Sequence, residues 1–138
     1  MVTARERSVS MKALLDTCTV IWATLSPQAL SPRAQEAIAN PANIVLVSAA
    51  SAWEIATKVR IGKLPGAERL EHEYLQVMED AGYTLLDIDS RVALRAGRLV
   101  SPHRDPFDRM LAAQALALDI PILSPDLLLD AFGIRRIW

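Results

Sequence analysis

The sequence predicts one α/β domain built on a mostly parallel sheet of four to five strands with helices around it. Three observations lead there. Short apolar runs of strand length alternate with longer stretches at helical spacing, as they do in strand–helix–strand units. The runs are solid and not alternating, which suits strands covered on both faces. The chain has 138 residues, 51% hydrophobic and 22% charged, which is enough for a single domain with its own core.

Each element has a local reason. Ala13-Leu14-Leu15 reads as a buried strand ending at Asp16. Cys18, Ile21, Trp22 and Leu25 then recur at i, i+3, i+4, i+7, a helical stripe. Ser31-Pro32 reads as an N-cap and first helical residue, opening a helix to about Asn40. Ile44-Val45-Leu46-Val47 is the second strand. A helix from about Ser51 to Ile61 carries Ala52, Ile55, Ala56 and Val59 on one face and stops at Gly62. A longer helix shows Leu70, Tyr74, Val77, Met78 and Ala81 on its apolar face and ends at Gly82. Tyr83 to Ile88 is the third strand, and Asp89 or Ser90 caps a helix to about Leu99. Phe107, Met110, Leu111, Gln114, Ala115 and Leu118 mark the next helix. Pro121-Ile122-Leu123 is the fourth strand, Leu127 to Ala131 a helical turn, and Ile134 to Ile137 an edge strand. Residues 1–10 are expected to be a flexible extension and 11–138 the folded domain. Trp22, Tyr74, Met78 and Phe107 fall on helical stripes and are expected in the core, with Trp53 packed behind Glu54.

Composition narrows the function. Fifteen Lys and Arg against 16 Asp and Glu give a formal net charge of −1, so nothing argues for a broadly basic nucleic-acid binder, though a local basic groove remains open. The one cysteine, Cys18, cannot form an intrachain disulfide or a Cys-based zinc site, and it suits a reducing, cytoplasmic setting. His72 and His103 are too few for a His-rich metal site. Neither a membrane span nor a signal peptide is expected.

In parallel α/β sheets, function gathers at the carboxyl ends of the strands. Asp16 ends the first strand, Glu54 follows the second, and Asp126 lies just past the fourth. Asp108 opens the helix leading into that strand. Each also has a plain structural explanation. Ser51-Ala52-Trp53-Glu54 matches a capping box, Asp105-Pro106 a cap followed by proline, and Ser124-Pro125-Asp126 a similar start. Asp16 directly follows a buried strand, where a carboxylate must stay wet, paired or metal-bound, or cap the next helix. If the acids converge, two of them ~5 Å apart repel by about 3 kcal/mol at an effective dielectric near 20. Three or four would call for a cation. Oxygen ligands without clustered histidine or cysteine point to Mg²⁺ or Mn²⁺, which suits phosphodiester hydrolysis.

Three segments carry a resemblance. Leu14-Leu15-Asp16-Thr17, Ser51-Ala52-Trp53-Glu54-Ile55-Ala56 with Lys58 and Gly62-Lys63-Leu64, and His103-Arg104-Asp105-Pro106-Phe107-Asp108-Arg109 with Ala112-Ala113-Gln114-Ala115 resemble the PIN-domain family. More narrowly, they resemble VapC-type toxins of bacterial toxin–antitoxin pairs. The likeness continues into Ile122-Leu123-Ser124-Pro125-Asp126. It implies a three-layer α/β/α sandwich and a metal-dependent endoribonuclease using Mg²⁺ or Mn²⁺. Carried over by position, Asp16 and Asp108 would be the principal metal ligands, and Glu54 and Asp126 would bind or position metal and water. Thr17 and Ser124 would support the acids, with Asp105 as an accessory. Many relatives carry histidine after the Asp-Thr pair, where this chain has Cys18. The resemblance further implies a homodimer restrained by a cognate VapB-like antitoxin. Lys58, Lys63, Arg104 and Arg109 stand near the motifs as candidate RNA contacts, although Lys58 could equally pair with Glu54 along a helix. His103 is the weaker candidate, since a metal route needs no histidine acid or base.

Two other readings compete. One is a non-catalytic PIN-like interaction domain in which the acids only cap helices. The other is an aspartate-based phosphotransfer enzyme. In the haloacid-dehalogenase type this needs a second Asp two residues after the first, where this chain has Cys18.

Overall fold

The computed structural model describes residues 10–138. The extension expected over residues 1–10 lies outside them except for Ser10, which is exposed coil. Five strands, β1 Lys12–Leu15, β2 Ile44–Ser48, β3 Thr84–Leu86, β4 Ile122–Leu123 and β5 Arg136–Ile137, form a sheet in the order β3-β2-β1-β4-β5. Every pairing is parallel. The helices are α1 Thr17–Leu25, α2 Pro32–Ala39, α3 Ala49–Arg60, α4 Glu68–His72, α5 Tyr74–Asp80, α6 Ser90–Arg98 and α7 Pro106–Leu118, with short 3-10 turns at Pro27–Ala29 and Leu127–Phe132.

Strand side chains alternate between two cores, which is why the runs are solid. Ala13, Leu15, Val45 and Val47 face one core with Val20, Ala34, Ile55, Leu70, Tyr74 and Met78. Leu14, Leu46 and Ile122 face the other with Leu111, Ala112, Ala115, Leu129 and Phe132. Helices α1 to α5 thus cover one side and α7 with the second 3-10 turn the other, making the three layers expected.

The structure departs from the sequence reading in four places. Helix α3 starts at Ala49, capped by the Ser48 hydroxyl, which accepts from the Ala50 N–H at 3.0 Å; the Ser51–Glu54 capping box does not form. Strand β2 ends at Ser48, which pairs with Leu86, and the helix begins at the next residue, so the cap lies three residues before Ser51. The helix expected through residues 70–81 is broken at Glu73 (φ −101°, ψ 19°). Four residues on an α-helix advance by more than a turn, drifting about 40°; the break lets Leu70, Tyr74 and Met78 all stay in one core. Strands β3 and β5 are shorter than expected, as edge strands often are. Trp53 is 63% exposed, not packed behind Glu54. It meets Phe107 edge-on with ring centroids 4.8 Å apart, and Phe107 is itself only half-buried.

Strand β1 lies centrally, with β2 on one side and β4 on the other. The chain builds outward from β1 through β2 to β3, then crosses to β4 and β5 on the other side of β1, and the crevice at the carboxyl end of the strands where the order reverses is where α/β sheets bind ligands.

Candidate active site

The crevice is built from residues that immediately follow strands. The register pairs Leu15 with Leu123, so the next residues, Asp16 and Ser124, are neighbours. The Asp16 N–H donates to Leu123 O at 3.2 Å and the Thr19 hydroxyl donates to the same oxygen at 3.0 Å. Asp16 caps α1: its Oδ1 accepts from the Thr19 N–H at 2.8 Å, and its Oδ2 accepts from the Ser124 hydroxyl. The residue is 5% exposed. Burial pushes its pKa above the ordinary range, partly offset by the Ser124 and Thr19 hydrogen bonds. Thr17 sits beneath, with its hydroxyl 3.0 Å from that of Ser51.

Ser124 links two acids. While donating to Asp16, its oxygen accepts from the Asp126 N–H at 3.0 Å. Asp126 in turn caps the Leu127–Phe132 turn, accepting from Leu128 N–H at 2.9 Å. Asp105 caps α7 as expected, accepting from Phe107 and Asp108 N–H at 2.8 and 3.0 Å. Asp108 occupies the first turn of α7 and projects away from the cap. Its Oδ2 lies 2.8 Å from His103 Nε2. Burial, aided by the charges of Asp105 and Asp126, pushes its pKa up to about 6, although His103 works in the other direction.

His103, Asp108 and Asp126 each place one ligand-type atom within 4.8 Å of the other two. Asp16 and Glu54 stand outside this group; Ser124 connects the Asp16 carboxylate to the Asp126 backbone N–H. Glu54, 7% exposed, is turned to Lys58, whose ammonium donates to its Oε2. That hydrogen bond, with the charges of Glu54, Asp105 and Asp108, raises the Lys58 pKa against burial. Asp16 and Glu54 both press on Cys18: after burial, their charges push its thiol up to about 12. Cys18 is therefore a neutral wall of the cleft, a space of ≈ 270 Å³ lined by Thr17, Ile21, Trp22, Glu54, Lys58 and Leu64 beside it.

The basic candidates divide. Lys63 and Arg104 are exposed, and Lys58 reaches over the acids. Arg109 has another role. Its guanidinium donates to Ala96 O and His103 O at 3.1 Å each, to Gly97 O at 3.4 Å, and to Leu99 O. It ties the end of α6 and the following loop to α7, which leaves it poorly placed to hold phosphate. His103, given little weight from sequence, is brought into the group by that same loop. Its backbone carbonyl is held by Arg109, and its ring lies 5.5 Å from that of Phe132. The available signal was its place two residues before a cap-and-proline helix start, which lays a side chain over the first turn.

The donor set suits a hard divalent cation. The Asp16 and Asp108 carboxyls are raised chiefly by burial, with a smaller push from the charge of Asp126; a cation would stabilise their ionised forms and offset the repulsion.

Comparison with known proteins places this arrangement. A chain in the crystal structure of VapBC2 from Rickettsia felis bound to a DNA fragment from their promoter shares the fold at a TM-score of 0.65 and 13% identity, over 92% of this chain and 98% of that one. The crystal structure of FitAcB from Neisseria gonorrhoeae matches at 0.62 and 18% identity, over 93% and 97%. No curated protein matches the sequence. The family model described as "PIN domain" matches residues 13–133, spanning β1 through the 3-10 turn after Asp126. With nearly all of its sheet and every acid of the crevice inside that match, the chain belongs to the PIN-domain family.

Proposed function

We propose that this chain is a metal-dependent endoribonuclease, the toxin of a toxin–antitoxin pair. The observation that carries the reading is the meeting of Asp108, Asp126 and His103 within 4.8 Å at the carboxyl end of β4, beside an Asp16 held by Ser124.

In this reading Asp16, Asp108 and Asp126 hold Mg²⁺ or Mn²⁺, with Glu54 positioning water. When bound, the cation activates a water and neutralises charge on the phosphate. The chain's own groups do the rest. Ser124 and the Thr19 N–H aim Asp16 inward. Asp105 holds the α7 N-terminus, so Asp108 enters the crevice from a fixed turn. Lys58 balances Glu54 and leaves positive charge at the rim, where Lys63 and Arg104 add more. These are the groups offered to the RNA backbone. The occurrence of the fold in VapBC2 and FitAcB supports a VapB-like antitoxin as partner, and we extend the reading to a homodimer by the same analogy. Among the described residues no helix is long and apolar enough to cross a membrane.

The test is cleavage of a structured RNA by the wild type, Asp16→Asn and Asp108→Asn, with Mn²⁺ and with EDTA. Cleavage by the wild type alone, stopped by chelation, is expected. Cleavage that survives chelation or either substitution would refute the mechanism.

A further inference from the structure

His103 contributes an atom to the crevice that the acid-only reading leaves unused. Its Nε2 stands 2.8 Å from Asp108 Oδ2, and a nitrogen of the ring lies within 4.8 Å of a carboxylate oxygen of Asp126. The three side chains come from three separate places: the loop before α7, the first turn of α7, and the cap of the 3-10 turn after β4. Neighbouring ligands on an octahedral ion with bonds of about 2.1 Å stand about 3 Å apart, so the His103–Asp108 spacing is that of two adjacent ligands. The imidazole is also anchored in advance. The His103 backbone N–H donates to Ser101 Oγ at 3.2 Å, its carbonyl accepts from Arg109, and Phe132 flanks the ring. The side chain is 16% exposed. A histidine serving only as a surface counter-charge would need none of this.

We propose that His103 is a nitrogen ligand to the same cation as Asp108 and Asp126, which makes the site select Mn²⁺ over Mg²⁺. The inference rests on the metal-site reading above and deepens it. As a ligand, Nε2 offers its lone pair and the ring carries its proton on Nδ1. Mg²⁺ is held by oxygen and keeps its waters; Mn²⁺ shares that taste for carboxylates but, as the first member of the first-row divalent series, also accepts a nitrogen ligand, so one imidazole among carboxylates tips the balance toward it.

The experiment uses the full chain loaded with Mn²⁺ alone and read by pulsed electron paramagnetic resonance. A nitrogen modulation is expected, changing to that of ¹⁵N when histidine is ¹⁵N-labelled, so the wild type by itself is informative. His72→Gln, an exposed change on α4, keeps the signal; His103→Gln loses it while retaining a native melt. In competition, the excess of Mg²⁺ needed to displace half the Mn²⁺ falls at least about tenfold in His103→Gln, the size typical of a lost interaction at a metal site. Bound Mn²⁺ without nitrogen modulation, or modulation that survives His103→Gln, overturns the ligand assignment and leaves the acid site standing. No Mn²⁺ binding by the wild type at millimolar concentration overturns the ligand assignment and the metal-site reading together.

Discussion

Asp108→Asn should make the metal-free protein more stable while abolishing its activity. An aspartate held at about 6 in place of its usual 3.8 costs the fold about 3 kcal/mol when ionised, at 1.36 kcal/mol per pKa unit. Asparagine keeps the shape without the charge, so most of that cost disappears; allowing for a weaker bond to His103, a gain of about 1–3 kcal/mol is expected. The sign with pH follows. The folded pKa is raised, so the penalty is full above about 6, shrinks as pH falls and the folded carboxyl takes up its proton, and is gone below 3.8. Urea unfolding in EDTA at pH 7.5 and pH 4.5 reads this directly: the advantage of the variant should be large at the first and small at the second. Adding Mn²⁺ at pH 7.5 should stabilise the wild type and not the variant, closing or reversing the gap. A variant less stable than the wild type at pH 7.5, or a gap indifferent to pH, would refute the reasoning.

Other perturbations probe the supports of the crevice. Ser124→Ala removes the hydroxyl that holds ionised Asp16 and should cost about 1.5–3 kcal/mol at pH 7.5; because that bond favours the ionised form, the loss should fade as pH drops and Asp16 protonates, as seen in denaturation midpoints. Arg109→Ala releases carbonyls at the end of α6 and in the loop after it and should cost about 2–4 kcal/mol by urea unfolding. Arg109→Lys should recover little of it, since one ammonium cannot span the same carbonyls. Lys58→Met leaves the buried Glu54 carboxylate alone and should cost about 1–3 kcal/mol, and Glu54→Gln in the same background should restore most of it in a double-mutant cycle.

The order of the elements was legible because each strand is a short solid run, and each following acid sits where the chain leaves the sheet. Asp16 and Ser124 could be placed at one end from that rule alone, though not their contact, which depends on the Leu15–Leu123 register. The break at Glu73 carried no signal: it has no proline or glycine, and the stripe Leu70, Tyr74, Met78 runs straight through it. The Ser51-Ala52-Trp53-Glu54 pattern pointed to Ser51 as the cap of α3; the strand instead ends at Ser48, which takes that role. Asp105 was readable as a cap because the proline after it leaves few alternatives. The separation of Arg109 from the other basic residues was hidden, since its partners are backbone carbonyls that no side-chain pattern reveals. His103 was underweighted for a related reason: what brings it to Asp108 is a loop fold imposed partly by Arg109.

The hydrogen bond between Asp16 and Ser124 joins residues 108 positions apart, and this has a bearing on synthesis. While the ribosome is still adding β4, the first carboxylate has no hydroxyl to hold it, and neither Asp126 nor its turn yet exists. A nascent chain therefore carries its acids apart, and the crevice is completed in one step, only when the last strands dock beside the first.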